Sequence, residues 1–82
     1  MQKRVLNYSV IIKLDSRTGT NQKCYSAYCP TLDVYSEGDT VEKAQKNIKA
    51  AIELASEVAA ENNSEFPIEK EPVILTQVRL AF

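Results

Sequence analysis

Few side chains in this sequence could do chemistry. None of the 82 residues is His, which removes the commonest general base and the commonest zinc ligand together. Its Ser and Thr hydroxyls therefore have no imidazole to activate them. The aspartates Asp15, Asp33 and Asp39 would have to converge to hold a catalytic metal. Asp15 opens a run of turn formers and Asp39 stands at a helix start. Asp33 lies between Leu32 and Val34 and is expected to face water. The only glycines are Gly19 and Gly38, so no Gly-rich phosphate loop can be built. Cys24 and Cys29 are five residues apart in one expected strand and should point to opposite faces. Their Cα atoms would stand roughly 16 Å apart, too far for a disulfide. Two small buried thiols in a reducing cytosol are expected, with no enzyme activity, cofactor or metal.

Two groups of residues suit binding instead. Tyr8, Tyr25, Tyr28 and Tyr35 fall on expected strands. Tyr25, Tyr28 and Tyr35 are candidates for a contact between copies of the chain, since Tyr combines a large apolar body with a polar tip. The second group is acidic. Glu53, Glu57, Glu61 and Glu65 recur every four residues, and the first three should share one face of a helix. Residues 53–71 hold six Glu and one Lys, a local charge of −5 in a chain of net charge −1. Neither helix stability nor solubility requires that concentration, so Glu53, Glu57 and Glu61 are candidates for docking a basic partner.

The elements that must position these groups follow from periodicity. Leu6 to Leu14 alternates, with Leu6, Tyr8, Val10, Ile12 and Leu14 on one parity, and predicts a strand. Turn formers fill 15–22. Lys23 to Cys29 is the expected return strand, closed by Pro30, and Leu32 to Ser36 a short third strand. Asp39 is expected to cap a helix over about 40–62, in a capping box with Glu42. Val41, Ala44, Ile48, Ile52, Ala55 and Val58 supply its apolar stripe. Val73 to Phe82 reads as a final strand. The order β-β-β-α-β predicts one α+β domain over 1–82. Its antiparallel sheet would carry the long helix on one face, with the last strand beside the first.

Composition bounds the function. The chain is 44% hydrophobic and 26% charged, which excludes disorder and low-complexity classes. Ten basic against eleven acidic residues leave no excess to hold a phosphate backbone, so DNA binding is not expected of this chain alone. No apolar run approaches the ~18 residues of a membrane span, and a cytoplasmic protein is expected.

The stretch from Tyr25 to Ala44 resembles the HicB-like antitoxin family of bacterial and archaeal toxin–antitoxin systems. The matching features are a strand around Tyr8, Pro30 preceding Leu32, Ser36, Gly38-Asp39-Thr40, then Glu42 and Ala44 in the helix. Asn47-Ile48 and Ala51-Ile52-Glu53-Leu54 match the family's helix, so the likeness covers about residues 6–60. The resemblance implies a partial ribonuclease H-like fold without nuclease activity. It also implies binding to a small mRNA-cleaving toxin, HicA. Full-length antitoxins add a C-terminal DNA-binding segment; this sequence is still strand-like at Phe82, so operator binding is not expected of this chain alone. Two functions are therefore expected as alternatives. One is a non-catalytic antitoxin that neutralises a HicA-like toxin. The other is a solitary homo-oligomer, with no toxin partner, that binds a small ligand on its open sheet face. Either way a homodimer or higher homo-oligomer is expected, because one helix leaves a sheet face and an edge uncovered.

Overall fold

The computed structural model describes residues 6–16 and 23–82. They form β1 (Ile11–Ser16), β2 (Lys23–Cys29), β3 (Val34–Gly38) and one helix, α1 (Val41–Glu61). The sheet order is β1-β2-β3, and both pairs are antiparallel. The fold is α+β, three antiparallel strands followed by one long helix packed on the sheet, as the periodicity predicts. The middle of the expected hairpin loop, residues 17–22, lies outside the described residues.

Register assigns the faces. Ile12 pairs with Ala27 and Ala27 with Ser36, while Leu14 pairs with Tyr25 and Tyr25 with Gly38. These positions face α1. The alternate row, Ile11 with Tyr28 and Tyr28 with Tyr35, lies on the opposite, open face. Cys24 and Cys29 fall on opposite parities, and both are buried with no disulfide between them. The core is small. Ala27, Cys29, Ala44 and Ile48 are buried together, with Tyr8, Val10, Ile12, Tyr25, Leu32, Val34 and Ile52 packed around them. It sits under the first half of α1, which lies mainly on β3, less on β2 and least on β1. Further along the helix Leu54 and Val58 stay 61% and 47% exposed, because no strand lies beneath them.

Four expectations need correction. The first strand starts at Ile11, not Leu6. β2 ends at Cys29, opposite Val34, so residues 6–10 pass beyond its ladder and contact the 66–69 connection instead. The third strand starts at Val34 rather than Leu32, because Asp33 turns the chain in the left-handed region with φ 53°. Thr40, not Asp39, is the helix N-cap: its backbone is extended, and its hydroxyl accepts from the Lys43 N–H at 3.1 Å. The third helical residue is therefore Lys43, so no reciprocal capping box with Glu42 forms.

The final strand does not join the sheet. Val73–Phe82 forms no strand or helix and every residue in it is exposed, Ile74, Val78 and Phe82 by 80% or more. Strand-forming residues make a strand only where an edge accepts their backbone groups, and within one chain this segment does not reach one. The radius of gyration is accordingly 15.5 Å, against about 12 Å for a compact chain of this length.

Candidate functional site

The outer face of α1 carries the acidic candidates. Helical geometry places residues four apart within about 5–6 Å at Cβ, so Glu53, Glu57 and Glu61 form a row. All three are exposed, and Glu65 follows just beyond the helix end. The last turn contains no basic residue, so Glu61 adds negative charge where the helix dipole is already negative. The row ends in a reciprocal cap. Asn63, with φ 54°, and Ser64 donate to the carbonyls of Ala60 and Ala59 at 3.2 and 2.8 Å, a Schellman arrangement. Two carbonyls that a Lys or Arg could otherwise have neutralised are satisfied by backbone alone, and the negative field faces solvent.

The tyrosine candidates divide. Tyr28 and Tyr35 lie opposite each other across β2 and β3 and stack on the open face, with ring centroids 4.4 Å apart and planes 23° apart. Partial desolvation raises the Tyr28 phenol pKa above its usual value, helped by the Asp33 carboxylate and then by Tyr35. A shallow groove of about 410 Å³ runs beside them, lined also by Ile11, Lys13 and Asp15. Tyr25 is not part of this face. Its parity turns it toward α1, where it packs on the core. The aspartates do not converge either: Asp15 is in β1, Asp33 in the β2–β3 turn and Asp39 before α1. Among the described residues no group of three or more His, Cys, Asp or Glu is placed to hold a metal ion.

One residue with a defined role, Glu69, stands in the sequence only as one of the six Glu of residues 53–71. The Glu69 carboxylate accepts from the Ser9 N–H at 2.9 Å, the Ser9 hydroxyl at 2.7 Å and the Thr31 hydroxyl at 2.8 Å. These bonds hold its pKa below the ordinary carboxylate value, the Ser9 backbone N–H contributing most. Tyr8 donates to the Pro67 carbonyl at 2.6 Å and meets the Phe66 ring edge-on at 6.0 Å. Together they fasten the connection after α1 to the segment leading into β1. Beside this seam, a groove of about 330 Å³ opens between Asn7, Tyr8 and Val10 on one side and Ile48, Lys49, Ile52 and Glu53 on the other.

No helix of the described residues is long and apolar enough to cross a membrane. A scan against protein-family models gives no match, and no solved structure matches. Among curated proteins, the chain is similar to UPF0150 protein ssr1765 of Synechocystis. The two are 39% identical over 75 residues, which span 89% of this chain and 85% of the relative. Likeness at that level, over nearly the full length of both proteins, places the chain in the UPF0150 family.

Proposed function

We propose that this chain is a non-catalytic, cytoplasmic protein-binding module of the HicB type, which binds and neutralises a small mRNA-cleaving toxin resembling HicA. The observation that carries this reading is the exposed row of Glu53, Glu57 and Glu61 at a helix end with no basic residue in its last turn. A protein that binds RNA presents a basic surface, and an acidic row attracts it and competes with the RNA backbone. The motif from Pro30 to Ala44 and membership of UPF0150 support the same reading. The test is the association rate of the Glu53→Gln, Glu57→Gln, Glu61→Gln triple variant with the toxin across salt concentrations. Slower association with a flatter salt dependence supports the proposal. An unchanged on-rate at low salt removes the acidic row from it.

A second reading has its own observation. The stacked pair Tyr28–Tyr35 stands over an open groove, and Tyr35 is 68% exposed. A solitary homo-oligomer with no toxin would use that face for a flat small ligand, which aromatic rings and the neighbouring Lys13 suit. Saturable quenching of tyrosine fluorescence, lost in Tyr35→Ala, would favour this reading over the first.

A further inference from the structure

Val73–Phe82 has the pattern of a half-buried strand and none of the burial. One parity reads Ile74, Thr76, Val78, Leu80, Phe82, and the other Val73, Leu75, Gln77, Arg79, Ala81, so strict alternation is confined to Gln77–Leu80. Such alternation is what a strand needs with one face on a core and one in water. In the single chain both faces are in water. Ile74, Leu75, Val78 and Leu80 are each at least 70% exposed.

A place of complementary character exists on the same molecule. Among the described residues β1 pairs only with β2, so its other edge is open. The groove between Tyr8, Val10, Ile48 and Ile52, edged by Asn7, Gln45, Lys49 and Glu53, lies on the helix-covered side of the sheet, next to the segment that leads into β1. A strand added to β1 would direct one parity of its side chains to that side. It would also widen the sheet, whose helix is carried mainly by β3 and retains the exposed Leu54 and Val58.

The root of the arm opposes folding back into the same chain. Glu69 is tied to Ser9 and Thr31, and Tyr8 is tied to Pro67. Only Lys70, Glu71 and Pro72 separate that anchor from the arm, with the chain bent at Glu71 and Pro72 fixing its own φ. A three-residue connection between a fastened anchor and an apolar arm is a short hinge, and short hinges favour exchange of the element between copies.

We infer that Val73–Phe82 of one copy adds as a strand to the open β1 edge of a second copy. Ile74, Val78, Leu80 and Phe82 then face the Val10–Ile48–Ile52 groove, and the second copy returns its own arm. This specifies how the expected homodimer forms, and it stands whether or not a toxin is the partner. The exchange is isologous, so one two-fold axis closes it. The ten arm residues, the receiving β1 edge and the helix face together approach the ~20–30 residues a side of a standard interface.

The experiment measures mass in solution by sedimentation for the full chain, for Val78→Lys with Leu80→Lys, and for Tyr35→Lys, with helical circular dichroism as the folding control. The inference predicts a dimer for the full chain and for Tyr35→Lys. It predicts a helical monomer for the arm variant, its dissociation constant raised about 100-fold or more, as for loss of central apolar anchors. Loss of helix signal in the arm variant would be resolved by Leu80→Ser alone, which must weaken the dimer while leaving the helix. A full chain that is monomeric at 100 μM overturns the inference, and arm amides protected in hydrogen exchange in that monomer would mean the strand closes on its own chain. A dimer that survives the arm substitutions but not Tyr35→Lys overturns it in favour of the tyrosine face. Toxin binding is measured separately, so failure of either result leaves the other standing.

Discussion

Gly38 lies so close to Ala44 that a Cβ on it would stand 2.4 Å from the Ala44 backbone nitrogen and 2.6 Å from the Lys43 carbonyl carbon. The last residue of β3 and the first turn of α1 thus touch backbone to backbone. This contact sets the angle at which the helix crosses the sheet, and with it the direction in which the Glu53–Glu61 row points. Ala44 completes it, since it is fully buried and a larger side chain there would lift the helix.

Gly38→Ala should therefore cost about 3 kcal/mol, the upper end of the range for overpacking, because the obstructing atoms are backbone and cannot rotate away. A urea midpoint within 0.2 M of the wild type would show that the approach is looser than described.

The helix ends give a paired prediction. Thr40→Ala removes the hydroxyl that accepts from the Lys43 N–H and should cost about 1 kcal/mol, while Thr40→Ser should be nearly neutral. At the other end, Asn63→Gly should stabilise by about 0.5 kcal/mol, since Gly adopts its positive φ without a Cβ penalty. Thermal melting of the three variants checks both ends. A loss on Asn63→Gly would mean that the Asn side chain itself holds the turn.

The seam at Glu69 predicts a pH dependence. Hydrogen bonds from Ser9 and Thr31 depress the folded-state pKa below the unfolded value. The stabilisation is therefore present above the unfolded pKa and is lost as pH falls through the folded one. The melting temperature of Glu69→Gln should lie below that of the wild type at pH 7. The gap should narrow as pH falls through the acid range and the wild-type carboxyl protonates. A gap that stays constant over this range would mean that Glu69 acts through shape alone.

The parts of this fold legible in the sequence were those with a local cause. The helix followed from apolar residues every three to four positions and was placed to within one residue at each end. β2 was read with its observed bounds, because Pro30 and the turn formers before Lys23 punctuate it. Asp39 and Thr40 are both good caps side by side, and only the backbone angles of Thr40 separate them. Glu69 was not legible, since its partners Ser9 and Thr31 lie 60 and 38 residues away. Tyr25 shares its residue type with Tyr28 and Tyr35, but its place three residues before Tyr28 in β2 sets it on the other face. The final strand is legible as a run of strand-forming residues, but in the single chain none of its ten residues is in the sheet.

The most direct measurement is of toxin activity. The full chain is titrated into a HicA-like toxin of the same genome while cleavage of an mRNA is followed. The account predicts that cleavage stops as this chain reaches stoichiometric amounts, and that the Glu53→Gln, Glu57→Gln, Glu61→Gln variant needs more protein as salt is raised. Cleavage that continues undiminished in excess of a correctly folded chain would contradict it.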